Sequence, residues 1–393
     1  MPEVQEQKAS RERLSRVRLY LRQRPVMLVL LTALTVVFFV FVAALSRAYK
    51  DQQIALGSRW FQRGVTDLNG KRYQAAVTDF RAALLYSRDN YTYQLHLAEA
   101  LLGMNRRAEA SAYLLNLWDR QPEDGLVNLE LARIAAQKGQ MQQAVQHYHD
   151  AVYAVWPSQQ EIQRRDARLE LIELLLRNNA KAQAQAELIG LSESADEDPA
   201  QLNLLGDLFM RAQDYEHAVA EYRASLKADA HNAKTLAGAG YAAYELQQYS
   251  LAEHYLQDAI KRDPNDKESA ERLKTTEMVL RMDPYQRQIS QTERDRLVIE
   301  AFTTAGERLQ HCAVPSGDGV GGSAVQGPNL SDEWSALKPQ ITPRDLQRSS
   351  GLPDQAMDLV FRIERQISLS CGAPSGPDLA LLLISKLREG NRF

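Results

Sequence analysis

The chain has 393 residues and a formal net charge of −3, a balance that gives no electrostatic reason to expect nucleic acid as a partner. Apolar residues make up 45%, which excludes global disorder, and the length exceeds one ordinary compact core, so several domains or a repeat array are expected. The only cysteines are Cys312 and Cys371, and without a CxxC spacing they exclude zinc-ribbon and thioredoxin-type sites.

Residues 1–25 form a basic tail carrying Lys8, Arg11, Arg13, Arg16, Arg18, Arg22 and Arg24. Two readings of residues 8–24 stand side by side. One is a basic amphipathic helix on the inner leaflet, with Leu14, Val17, Leu21 and Val26 spaced at three to five. The other is a solvated tail whose charge sets topology. Residues 26–46 follow as 21 uncharged residues, with only Thr32, Thr35 and Ser46 polar. At helical rise this run spans about 30 Å, the thickness of the hydrocarbon layer. Pro25 stands at its entrance, where a missing N–H costs least.

The segment therefore reads as a transmembrane helix in the lipid bilayer. Downstream, over a similar stretch, only Arg47, Lys50, Arg59 and Arg63 appear. The positive-inside rule keeps the N-terminus cytoplasmic and sends residues 47–393 across an inner membrane to the periplasmic or extracytoplasmic side. The competing reading is a cleaved signal peptide ending near Val42-Ala43-Ala44, whose apolar region is usually shorter.

Residues 54–283 read as helix, with apolar residues at three and four and turn signals every 15–20 residues. A compact residue recurs at Gly64, Ala98, Ala132, Ile172, Gly206 and Gly240. A second recurs at Ala76, Ala110, Ala144, Ala184, Ala218 and Ala252. Both series step by 34, 34, 40, 34 and 34 residues, and the six-residue insertion falls near Trp156-Pro157-Ser158. Small residues suit the close crossing of two helices. Phe80, Leu114, Tyr148, Leu188, Tyr222 and Leu256 supply the bulk between neighbouring hairpins, and Pro122 and Pro264 close units.

This period and these residues resemble the tetratricopeptide-repeat (TPR) family over about residues 57–266. The resemblance implies an all-α TPR solenoid of six helical hairpins plus a capping helix at 267–282, with the N-terminal transmembrane helix and a small helical C-terminal region. Stability then comes from stacking rather than from any one hairpin, and the junction at Ile172 is expected to be the least regular. It also implies a non-catalytic protein–protein interaction scaffold, with no cofactor and no metal, that binds a protein or peptide partner on its concave face. The family's groove positions fall on Arg133, Gln137, Glu173, Arg177, Asn203, Asp207, Arg211, Tyr241, Tyr244 and Glu245. Asn203 could donate to and accept from a peptide backbone at once. Glu173/Arg177 and Asp207/Arg211 also read as ordinary i,i+4 surface pairs, and the tyrosines as packing between repeats. His147 and His149, two apart, point to different faces of a helix and make no metal pair. A homo-oligomeric structural element is the alternative function.

Residues 284–393 continue with a helix at 285–311, a Gly-rich loop at 315–329 without the phosphate-loop ending, and helices at 331–338, 354–370 and 377–389, the last capped by Gly390. Cys312-Ala-Val-Pro-Ser-Gly-Asp and Cys371-Gly-Ala-Pro-Ser-Gly-Pro-Asp are near copies. They predict either a disulfide pinning two helix ends in an oxidising compartment, or two buried free thiols. No nucleophile with a base and no paired-carboxylate motif occurs in this region.

Overall fold

The structure is a computed structural model that describes residues 3–193, 198–312 and 330–390. The Gly-rich loop expected at 315–329 lies outside the described residues. All regular elements among the described residues are helical. The chain forms two compact units, 1–171 and 172–393, divided inside the first helix of the fourth repeat, where Ile172 replaces the small residue.

In the first unit, helix α1 runs unbroken over Glu3–Asn69. It does not start at Pro25 as expected: proline is accommodated within the helix, and the apolar segment and the first helix of repeat one are one rod. Within Met27–Asn69 an 18-residue window has mean hydropathy 2.9 with none of it buried, so this stretch is long and apolar enough to cross a membrane. Next come α2 (Tyr73–Tyr86), α3 (Tyr91–Gly103), α4 (Arg107–Arg120), α5 (Gly125–Gln137) and α6 (Met141–Tyr153). Phe80, Leu97, Leu101, Leu114 and Leu117 fill the core between these hairpins.

Helix α7 (Glu161–Arg177) spans the division. The second unit continues with α8 (Lys181–Ser192), α9 (Pro199–Ala212), α10 (Tyr215–Ala228), α11 (Ala233–Glu245), α12 (Tyr249–Arg262) and α13 (Lys267–Met282). The close-crossing logic is visible atom by atom. A Cβ on Gly64 would lie 2.6 Å from the Phe80 ring, one on Gly206 2.6 Å from Tyr222, and one on Gly240 2.7 Å from Leu256.

Four of the six hairpins, and α13, share the same chemistry at the start of their first helix, and all six hairpins share it at the turn. First helices start at an Asn or Asp whose side chain accepts the amide three residues on: Asn90, Asp124, Asp198, Asn232 and Asp266. The hairpin turns share a left-handed residue, at Lys71, Asn105, Gly139, Asn179, Gln213 and Gln247. The next amide reaches back five residues, as from Arg72 to the Asp67 carbonyl (2.8 Å) and from Gln248 to Ala243 (2.9 Å), closing the helix end. Only one of these six positions is glycine. Replacing Gln213 or Gln247 by glycine should therefore stabilise the second unit by about 0.5–1 kcal/mol each, the relief from a left-handed side chain less the added freedom of the unfolded chain. Urea unfolding would show a raised midpoint, and a lowered one would contradict this reading of the turn.

The capping helix sits at 267–282 as expected, but it is not a polar end. Val279 and Met282 are buried in a core shared with α14 (Gln291–Cys312), α15 (Leu330–Leu337), α16 (Pro343–Arg348), α17 (Leu352–Ser370) and α18 (Pro377–Gly390). The helix expected at 285–311 begins at Gln291, and a short helix, α16, lies between those expected at 331–338 and 354–370. Gly390 ends α18 inside the helix rather than beyond it. Trp334 stacks on Phe302 with centroids 5.7 Å apart and donates its indole N–H to the Phe302 carbonyl at 3.2 Å. That seat exists because Gly306 has no Cβ, which would fall 2.2 Å from the indole. Cys312 and Cys371 are joined by a disulfide, with Cα atoms 5.9 Å apart, between the end of α14 and the end of α17.

Candidate binding groove on the first helices

In the first unit, Arg133 on α5 is an internal bridge. Its guanidinium donates to Glu170 on α7 (Nη2–Oε1 2.6 Å) and to Glu130 (2.6 Å), and the Tyr148 hydroxyl donates to the same Glu170 at 2.8 Å. Burial alone would raise the Glu170 carboxyl, but the bonds from Arg133 and Tyr148 outweigh it and hold the group below the usual range. Gln137, one turn on, is exposed. Glu99 on α3 occupies the same repeat position as Arg133. His96 Nδ1 lies 3.8 Å from its carboxylate. Burial, with repulsion from Glu130, pushes the Glu99 carboxyl up to about 7. His96 is held low by burial and supplies no compensating charge at neutral pH.

A carboxyl raised above its ordinary 4.5 contributes stability that is fully present below that value and lost as pH rises through about 7. Glu99→Gln should accordingly flatten the loss of stability of the first unit between pH 5 and 8, read from its melting temperature at each pH. An unchanged slope would remove Glu99 as the source. His147 donates its Nδ1–H to Asn128 Oδ1 (2.9 Å). Among the described residues no group of three His, Cys, Asp or Glu could hold a metal ion.

In the second unit, the i,i+4 pairing of Asp207 with Arg211 is replaced by two other contacts. Arg211 makes a bidentate bridge to Glu173 (2.6 and 2.9 Å), which holds that carboxyl below its usual range. Asp207 instead accepts the Tyr222 hydroxyl at 2.6 Å and lies 3.5 Å from Lys234. Arg177 is exposed and only 3.9 Å from Glu173. Asn203 accepts the Thr235 hydroxyl at 3.0 Å. Tyr241 and Tyr244 lie under Arg272 of α13, with its guanidinium carbon 4.6 and 5.3 Å from their ring centres, and Arg272 donates to Glu245 at 3.1 Å. Tyr241 also bonds the Ser269 hydroxyl at 2.9 Å.

Three of the ten groove candidates, Asp207, Arg211 and Tyr241, line a cavity of about 600 Å³ between α9, α11 and α13. Sequence reasoning missed the rest of its wall: Tyr222, Lys234, Gly238, Asp263, Asp266 and Glu268 among others. The signal lay in the register. The repeat position held by Leu204 and Arg272 in the neighbouring first helices is Gly238 here, so one side chain is missing from the row. A Cβ there would come 2.6 Å from the Tyr222 ring.

Sequence models described as tetratricopeptide repeat match residues 95–158 and, separately, 202–232 and 233–266. Those stretches match tetratricopeptide repeats, and the chain is an all-α, TPR-like array of helical hairpins with additional C-terminal helices. No curated protein sequence matches the chain. Among solved structures, the chain is similar to YrrB, a TPR protein with an unusual peptide-binding site. The two are 16% identical, the match covers 49% of this chain and 95% of that one, and the TM-score is 0.39. It is also similar to PilF of Pseudomonas aeruginosa (16% identity, 56% and 97% covered, TM-score 0.38). PilW, a widely conserved type IV pilus biogenesis factor, is 15% identical over 55% of this chain and 96% of that one, with a TM-score of 0.36.

Proposed function

We propose that the chain is a non-catalytic scaffold, tethered to the inner membrane by residues 26–46, that holds a segment of a partner protein in the groove of its repeats. The observation that carries this reading is the cavity of about 600 Å³ on the first helices of the second unit, bordered by Asp207, Arg211 and Tyr241. Cavities of this size accommodate several side chains of an extended segment. The apolar run of α1 supports the tether, and the excess of basic residues before it favours a periplasmic array. The Cys312–Cys371 bond agrees with an oxidising compartment. Tethering would raise the local concentration of the groove for membrane or secreted partners, in envelope assembly, secretion or folding.

Photo-cross-linking amino acids placed in living cells at 207, 211 and 241 test the reading. Discrete adducts with another protein are expected from these sites and not from exposed Leu85 on α2. Adducts with the chain itself alone would favour the homo-oligomeric element, and none at all would remove the groove.

A further inference from the structure

The cavity at Gly238 has a definite chemistry. Four carboxylates, Asp207, Asp263, Asp266 and Glu268, line it against two cations. Both cations are already engaged: Arg211 by the bidentate bridge to Glu173, and Lys234, largely solvated, beside Asp207. Asp266 is held ionised by the hydroxyl and amide of Ser269, because it caps α13. The aromatic part of the wall is Tyr222 and Tyr241. Tyr222 reaches this place because neither Gly206 nor Gly238 has a Cβ to block its ring.

The molecule itself displays what such a surface takes. One repeat step beyond Gly238, at the same position of the next first helix, Arg272 lays its guanidinium over Tyr241 and Tyr244 and pairs with Glu245. That is a planar cation on aromatic rings with a carboxylate at its edge, the arrangement in which arginine outperforms lysine. At Gly238 the side chain is absent, and the wall offers Tyr222, the edge of Tyr241 that Arg272 leaves uncovered, and the four carboxylates, although the repeat equivalents of Tyr241, Tyr244 and Glu245 are Asp207, Met210 and Arg211.

We propose that this cavity receives an arginine side chain of the bound segment, its guanidinium set against Tyr222 and Tyr241 and paired with Asp207 and Asp263. The proposal rests on the groove being a peptide-binding face and adds the residue that it selects. The partner is thus a protein presenting an arginine within an extended segment. Lysine would enter less well, since a compact ammonium matches neither the flat rings nor two carboxylates at once.

The test uses the full chain in detergent micelles, with a photo-cross-linker at position 244. The probes are pools of twelve-residue peptides, randomised except for a fixed central residue that is arginine, lysine or citrulline. Citrulline keeps the shape of arginine without its charge. Cross-linking of the arginine pool should exceed that of the citrulline pool at least tenfold, with the lysine pool between them, and should weaken as salt is added. Asp207→Asn with Asp263→Asn should remove most of that preference. Asparagine at 207 keeps an acceptor for Tyr222, and an unchanged melting temperature certifies the fold. Single Asp263→Asn, at an exposed helix end, is the second variant and should lower the preference in part. Equal cross-linking of all pools would overturn the arginine pocket and leave the peptide groove standing. A preference that survives both variants would overturn it too. If no pool cross-links, the groove reading itself falls, and the pocket with it.

Discussion

Replacing Cys312 and Cys371 by serine should lower the stability of the second unit by about 4 kcal/mol, the chain entropy released when a loop of this length is opened in the unfolded state. The bond spans 59 residues of sequence and connects the end of α14 to the end of α17. Those two helices pack along their length through Val298, Phe302, Ala305, Val360, Ile363 and Ile367, all buried. The native contacts therefore survive loss of the bond, and the effect falls on the unfolded ensemble. Urea unfolding of the oxidised and serine forms would show the midpoint drop. Hydrogen exchange would show the same loss at the slowest-exchanging amides throughout the second unit, which open only by global unfolding. An unchanged midpoint would contradict the account.

Arg308→Met should be of similar size, costing about 3–5 kcal/mol, because it strands a buried carboxylate. Glu364 is fully buried in the bundle, and Arg308 donates to its Oε2 at 2.6 Å. Arg308 also lies 3.6 Å from Asp378. No donor among the described residues reaches Glu364 Oε1. Burial, with repulsion from Asp378, raises the Glu364 carboxyl to about 7 in spite of Arg308. Its folded-state value lies above the ordinary 4.5, so its contribution is complete below that pH and is lost as pH rises through about 7. Removing Arg308 takes away the charge that favours the ionised form. The variant should thus lose more stability at pH 8 than at pH 5. Arg308→Met with Glu364→Leu should recover most of the loss, since replacing a whole buried pair by apolar groups is often neutral. Equal losses at both pH values would mean that the carboxyl is not the source.

The repeats were legible because two constraints, small residues at crossings and bulk between hairpins, leave matched series at one period. The equivalence of the two cysteine-bearing helix ends was legible for a similar reason: the segments that follow Cys312 and Cys371 are near copies, which left a disulfide and two buried thiols both open. Other regularities share the period and went unread. The left-handed turn residue is Lys71, Asn105, Asn179, Gln213 or Gln247 in five hairpins and glycine only at 139, so composition carries no flag. Helix α16 was signalled by Thr342-Pro343, a cap followed by proline at the first turn, but its six residues are too few for periodicity. Charges on α13 suggested a solvated end, whereas Val279 and Met282 on the other side decide its packing.

The contacts made at the expected groove positions were not legible in the sequence. Arg211 bonds Glu173, 38 residues upstream, in preference to Asp207 one turn away. Asn203 is held by Thr235, and the paired tyrosines by Arg272. Each of these depends on how successive hairpins are offset, which no local pattern encodes. The cavity arises from a missing side chain at Gly238, and it becomes visible only once that position is aligned with Leu204 and Arg272.

The tethered scaffold is tested most directly by protease treatment of intact spheroplasts followed by carbonate washing of their membranes. The account predicts that the repeats are digested without opening the membrane, and that an N-terminal fragment containing residues 1–46 stays in the washed bilayer. A chain that resists protease until the membrane is permeabilised, or that leaves the bilayer with carbonate, would contradict it.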